Sequence, residues 1–259
     1  MKRQIIGFAK DAAVIFGGFL LFSTFAYASY HIPSESMMPT LEVGDRLLVN
    51  KYTYGYSRYS VPLHPPLFEG RILAGGPKRG DVVVFHERGD AGGSLGFFGS
   101  LINALNFSDG VTYIKRVIGL PGDTIEMTGG RLYLNGKLVD RRPVRQLQAR
   151  HRFGMVSVLT EYEEVLPGGI SHRIYERSDN APFDDTRLFT VPEGHYFMMG
   201  DNRDNSTDSR SPSGFIFVPA DNIIGRADLI SYSIARCSEA KGIKCVLGIP
   251  FERFFTRVG

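Results

Sequence analysis

The stretch "DTIEMTGGRLYLNGKLVD", Asp123 to Asp140, carries two turn signals. Gly129-Gly130 and Asn135-Gly136 both suit tight primed turns, whose backbone needs residues that tolerate positive φ. Around them apolar and polar residues alternate, the pattern of strands covered on one face. The segment therefore reads as two successive hairpins. Working outward, "RLLVNKY" (Arg46–Tyr52), "DVVVFHE" (Asp81–Glu87), "YIKRVIGL" (Tyr113–Leu120), "HYFMMGD" (His195–Asp201) and "LISYSI" (Leu229–Ile234) are short, rich in β-branched or aromatic residues, and bounded by Gly, Pro, Asp or Asn. No long stretch repeats apolar residues at helical spacing, so the class is mainly β. From about Thr124 to Pro192, the hairpins and a polar, His- and Arg-containing stretch read as a second, smaller β lobe. Residues 33–123 and 193–259 then form the main β core around an insertion at 124–192.

The N-terminus has a different pattern. Lys2, Arg3 and Lys10 precede Ala12 to Ile32, a run free of Asp, Glu, Lys and Arg. About 20 residues at about 1.5 Å each cover a hydrocarbon core of roughly 30 Å. The expectation is one transmembrane helix over 12–32, with residues 1–11 in the cytoplasm, because positive charge stays inside. Tyr27 and Tyr30 would sit at the outer interface. Ala26-Tyr27-Ala28 also has the small-x-small form that processing requires, so a secretory signal cleaved after Ala28 stays open.

Composition excludes some classes. Over 259 residues the net charge is only +3, and no Lys/Arg block with interleaved aromatics occurs, so nucleic acid is not the expected partner. Cys237 and Cys245 are the only cysteines; two thiols cannot make a four-ligand zinc site, and they read either as one disulfide or as two free thiols. No metal and no cofactor is expected. Two segments look inserted: Arg58–Arg79, rich in Pro and Gly, and Glu87–Gly110. The second carries Phe97, Phe98, Leu101, Ile102 and Leu105, read as a lip at the membrane surface.

Three clusters can carry chemistry. In "HIPSESMMPTLEVGD" (His31–Asp45), an extended chain would turn Ser34 and Ser36 to the same side, and Pro33 and Pro39 discourage a helix. One hydroxyl can then be a nucleophile while its neighbour donates a hydrogen bond to the reacting carbonyl. In "VTYIKRVIGLPGD" (Val111–Asp123), Lys115 shares a strand face with Tyr113 and Val117. Apolar surroundings disfavour its ammonium; bringing it from about 10.4 to near neutrality costs roughly 4 kcal/mol but leaves a free amine to act as general base. The third, "MMGDNRDNSTDSR" (Met198–Arg210), fails as an EF-hand because it lacks the loop glycine. It reads as a self-bonded polar loop in which Asp208 and Arg210 pair and Ser206 offers a hydroxyl. Two alternatives are weaker. Gly92–Gly96 fits G-x-S-x-G but lacks the strand–helix context, and His31, His86 and His195 sit in no recognisable motif.

Together, "PSESMMPTLEVGD", "RGDVVVF", "YIKRVIGLPGD" and "GDNRDNSTDSR", in that order behind an apolar span, resemble the bacterial type I signal peptidases. The resemblance implies a membrane-bound Ser/Lys serine endopeptidase that cleaves signal peptides from exported preproteins after small-x-small sites. It implies Ser36 as nucleophile and Lys115 as general base, with Ser34 and the Ser36 amide as oxyanion hole. Ser206 would hold the lysine, Asp208 and Arg210 would brace the loop, and Arg116 looks structural. Ile32, Met37, Leu41, Tyr113 and Ile114 match the family's substrate pockets. The implied fold is an antiparallel β catalytic core with a smaller inserted β domain, and the implied location is the bacterial plasma membrane, single-pass, with the catalytic part on the outer side. The partners are signal peptides and the lipid bilayer. Two other readings stand beside it: a specialised pilin- or conjugation-system peptidase of the same family, and a non-catalytic membrane-anchored peptide-binding β domain.

Overall fold

The computed structural model describes residues 2–60, 70–73, 75–88, 110–150, 156–212, 214–238, 241 and 243–259. The expected lip residues Phe97 to Leu105 and the Gly92–Gly96 alternative lie outside them. Helix α1 (Lys2–Phe25) is followed by strands β1 (Tyr27–His31), β2 (Asp45–Asn50), β3 (Val82–Arg88), β4 (Gly110–Gly119), β5 (Thr124–Thr128), β6 (Arg131–Leu134), β7 (Lys137–Leu138), β8 (Asp140–Arg150), β9 (Val156–Leu166), β10 (Ile170–Glu176), β11 (Phe189–Thr190), β12 (His195–Met199), β13 (Val218–Pro219), β14 (Ile223–Ser233) and β15 (Thr256–Arg257). The protein is mainly β, as the alternation predicts.

Eight strands form one sheet in the order β1-β2-β14-β3-β4-β12-β13, with β15 on β14. Its centre shows why "VVVF", Val82 to Phe85, is apolar at every position. Val82 and Val84 pack with Ile32, Met37, Leu41 and Leu47 on one face, while Val83 and Phe85 pack with Val117, Met198 and Phe215 on the other. A strand buried on both faces has no polar alternation to show. The chain between 124 and 192 makes two further sheets, β11-β5-β6-β7 and β10-β9-β8. Both predicted tight turns are present: Thr128 pairs Arg131 across Gly129-Gly130, and Leu134 pairs Lys137 across Asn135-Gly136, all four turn residues at positive φ. The hairpin core of Ile125, Met127, Leu132 and Leu134 is continuous with Ile118, Phe197 and Met199 of the main sheet. Cys237 and Cys245 are bonded to each other.

The N-terminal expectation needs correction. The helix ends at Phe25, and Tyr27–His31 is strand β1, paired along its whole length with β2 from Tyr27↔Asn50 to His31↔Arg46. The last residues of the expected 12–32 span thus satisfy their backbone groups in the sheet rather than in a helix. Tyr30 packs on the core cluster of Ile32 and Leu47. Among the described residues no helix is long and apolar enough to cross a membrane.

Candidate active site

Ser34 and Ser36 sit in the connection between β1 and β2. The expected extended conformation is not what forms there. Residues 34–40 are bends and turns, closed by Met38 N–H to the Glu35 carbonyl at 3.1 Å and Leu41 N–H to the Met37 carbonyl at 2.9 Å. Burial of Met37, Met38 and Leu41 drives the chain to coil in on itself. The two hydroxyls still meet, Ser34 Oγ lying 3.4 Å from Ser36 Oγ.

Lys115 arrives from β4, opposite Val83 of β3. Its Nζ lies 2.7 Å from Ser36 Oγ and donates to the Ile114 carbonyl at 3.0 Å. Only 3% of the lysine is exposed. Burial lowers it to about 8, against the opposing pull of the Asp208 and Asp201 carboxylates; the Arg210 guanidinium lowers it further. The aromatic ring of Tyr113 is 5.9 Å from Nζ and itself packs on Phe85 and Phe215.

The loop after β12 closes the site. Asp208 takes two hydrogen bonds from the Arg210 side chain, at 3.0 and 2.9 Å, and one from the Gly200 amide at 2.9 Å. Burial pushes the Asp208 carboxyl up, but the Arg210 guanidinium and the two amides outweigh it and hold it below the usual carboxylate range. The expected pair therefore forms, fully buried. Ser206 is buried too, but its Oγ has no hydrogen-bond partner among the described residues, so the expected bond to Lys115 is not made here. Gly200 explains the close approach: a Cβ there would lie 2.2 Å from Ser206 Oγ and 2.5 Å from the Ser36 carbonyl oxygen. Arg116, on the opposite strand face from Lys115, forms a two-pronged pair with Asp201, both contacts at 2.8 Å.

Of the five expected pocket residues, Ile32, Met37 and Leu41 are buried in one core cluster, with Ile114 packed against it. Tyr113 belongs to the cluster on the other face. The histidines have other company: His86 stacks on Tyr59 and His195 Nδ1 lies 2.9 Å from the Glu193 carbonyl.

Several residues that the sequence reading passed over also hold the site. The Asn202 amide donates to the Ser36 carbonyl at 3.1 Å, and its side chain donates to the Glu35 carbonyl at 3.0 Å. Asn205 donates to the Glu35 carboxylate at 3.1 Å. Both lie in the polar loop already singled out, so the signal was present without a partner to attach it to. Glu164 of β9, paired with Arg203 at 2.9 Å, had no signal, for a Glu in a strand beside Glu161 and Glu163 reads as surface.

The sequence profile described as signal peptidase, peptidase S26 matches residues 5–232. The chain belongs to this peptidase family. Among its signal peptidase relatives, the signal peptidase I of Rickettsia typhi is 36% identical over 212 residues, which are 79% of this chain and 71% of the relative. That of Pseudomonas aeruginosa is 38% identical over 217 residues, 80% of this chain and 66% of the relative. A solved signal peptidase I from Enterococcus faecalis matches over 59% of this chain and 97% of its own, at 24% identity and a TM-score of 0.29.

Proposed function

We propose that this chain is a membrane-bound serine endopeptidase that removes signal peptides from exported preproteins after small-x-small sites. One observation carries the reading: a buried lysine with lowered pKa has its amine 2.7 Å from a serine hydroxyl. In this scheme the neutral Lys115 amine takes the Ser36 proton as Oγ bonds to the scissile carbonyl carbon. The oxyanion is held by Ser34 Oγ and the Ser36 amide. Collapse breaks the C–N bond, and the Lys115 ammonium returns its proton to the leaving amine. Lys115 then deprotonates a water that hydrolyses the acyl-enzyme and regenerates Ser36. Ser206, braced through the Asp208–Arg210 pair, fills the space beside the dyad at Gly200.

Two features support a peptide substrate delivered from a membrane. β12 pairs only with residues 116–119 of β4, so the dyad end of that strand has an open edge among the described residues, where an extended peptide can add. Ile32, Met37, Leu41, Tyr113 and Ile114 are the side chains we assign to accepting small residues before the cut. A continuous row of paired residues also runs Tyr27, Asn50, Arg226, Val83, Lys115 across the sheet. Four strand spacings of about 4.8 Å put Lys115 roughly 19 Å to the side of Tyr27, at the same level. Tyr27 is two residues beyond α1, whose Phe8, Val14, Ile15, Phe16, Phe19 and Phe22 are exposed. With α1 as the anchor, residues 33–123 and 193–259 form the catalytic core and 124–192 the inserted domain, on the outer side of a bacterial plasma membrane. The dyad then lies where a signal peptide emerges from lipid.

The test is cleavage of an Ala-x-Ala peptide by the full chain in detergent. Ser36→Ala and Lys115→Ala should each abolish turnover while leaving the circular dichroism unchanged. Substantial activity in either folded variant refutes the dyad.

A further inference from the structure

The sheet β10-β9-β8 contributes no residue to the dyad, yet it grips the 200–210 loop that packs beside it. Glu164 and Arg203 are both buried and face each other in a two-pronged pair, Oε1 to Nη1 at 2.9 Å and Oε2 to Nη2 in closer contact. The carbonyl of the same Arg203 accepts a 2.6 Å hydrogen bond from Arg210 Nη2. Arg210 holds Asp208, Asp208 holds the Gly200 amide, and Gly200 packs against Ser206 and the Ser36 carbonyl. Glu164 is thus the far end of an unbroken line of contacts that ends beside the nucleophile.

Neighbouring contacts run in parallel. The Tyr175 amide donates to the Asp201 carbonyl at 2.8 Å, and the Arg177 amide to the Asp204 carboxylate at 2.6 Å. These two are backbone donors, and the Arg177 side chain adds one bond, to the Asp204 carbonyl at 2.9 Å. Glu164 is different, because its carboxylate is the largest of the charges acting on Arg203 and the one that hydrogen-bonds its guanidinium. Burial pushes the Glu164 carboxyl up, but the Arg203 guanidinium more than offsets this, so it stays ionised. His172, 3.4 Å from Glu164, is lowered by burial to about 4 and is neutral at working pH, so it offers Glu164 no competing charge.

We propose that Glu164 is a positioning residue for the proteolytic reaction: acting through Arg203, it fixes the 200–210 loop so that Ser206 and the Ser36 carbonyl stay in register with Lys115. The inference rests on the Ser36–Lys115 reading for its kinetic arm only. Among the described residues Glu164 is the one carboxylate hydrogen-bonded to Arg203, with Glu176 and Asp201 acting on it only through their charge. A buried arginine that loses this bonded partner must turn toward water or take the loop with it. In either case the carbonyl of Arg203 moves, and Arg210 and Asp208 with it.

The experiment uses the full chain in detergent, with Glu164→Gln, Glu164→Asp, Arg203→Met and the double variant Glu164→Gln/Arg203→Met. Glu164→Gln should lower kcat about tenfold or more with KM within twofold, and Glu164→Asp should recover part of the loss. In the Arg203→Met background, adding Glu164→Gln should change kcat less than twofold, because the route is already cut. Amide hydrogen exchange should accelerate at Gly200–Asp208 and stay unchanged in β3 and β4. Should Glu164→Gln fail to fold, Arg203→Lys, which keeps the charge but not the fork, must show the same local exchange. Unchanged exchange at 200–208, or effects of the two residues that multiply in the double variant, overturns the proposal. The exchange arm needs no activity, so its failure is distinct from retained cleavage in Ser36→Ala, which would overturn the dyad.

Discussion

Replacing Lys115 by methionine should change the sign of its effect on stability between neutral and alkaline pH. Burial lowers Lys115 from 10.5 to about 8, and this difference is worth about 3 kcal/mol. The sign follows from proton binding. Between about 8 and 10.5 the unfolded chain binds the lysine proton and the folded chain does not, so stability rises with pH across this window. Below 8 both states are charged and the folded state bears the full cost of a buried ammonium. Methionine has a similar length and no charge, so it removes that cost but also loses the contacts to Ser36 and the Ile114 carbonyl, about 1 kcal/mol each. At pH 7 the variant should be more stable than the parent by about 1 kcal/mol, and at pH 10.5 less stable by about 2 kcal/mol. Lys51, also buried and lowered to about 8, titrates in the same window in both proteins and cancels in the difference. The assay is urea unfolding in detergent at several pH values, beside the pH profile of kcat/KM for the parent. That profile should rise through an inflection near 8, since it reports the free enzyme's base. A stability difference that stays constant from pH 7 to 10.5, or a cleavage profile flat from 6 to 9, would show that Lys115 keeps an ordinary pKa and is not the base.

The remaining expectations concern its neighbours. Gly200→Ala would place a methyl 2.2 Å from Ser206 Oγ and 2.5 Å from the Ser36 carbonyl. Stability should fall by about 1–3 kcal/mol and cleavage by about 100-fold, and near-parental turnover would mean the loop can yield. Ser34→Ala should slow kcat by roughly 10²–10³-fold through loss of an oxyanion donor; an unaltered rate removes Ser34 from that role. Ser206→Ala removes a buried hydroxyl with no partner among the described residues, so the thermal midpoint should not drop while kcat falls about tenfold. A midpoint lowered by several degrees would reveal a bond that Ser206 makes in the folded protein.

The hairpins at 123–140 were legible because the information is local. Gly and Asn at the turns and period-two alternation each act within a few residues, and both turns are found in place. The apolar strand β3 was legible for a related reason, since burial on both faces leaves nothing to alternate. The boundary of α1 was not. Tyr27–His31 is as free of Asp, Glu, Lys and Arg as the run before it, and only the presence of β2 as a partner makes it a strand. The Ser34–Ser36 segment was expected to be extended and is instead coiled by the burial of Met37, Met38 and Leu41, a driving force that belongs to the core and not to the segment.

The residue types of the site, then, were decided by the sequence alone: a Ser-x-Ser, a lysine in an apolar strand and an Asp–Arg loop, in an order shared with the signal peptidase family. What makes them a site was decided only in three dimensions. Ser36 and Lys115 are 79 residues apart and meet because β3 carries β4 past the turn that holds the serine. The amine is lowered because it is buried beside the Tyr113 ring, which Phe85 and Phe215 from other segments hold in place. Gly200 and Glu164 acquire meaning by what they touch. Desolvation and close contact are sums over neighbours, and a linear chain does not say who the neighbours are.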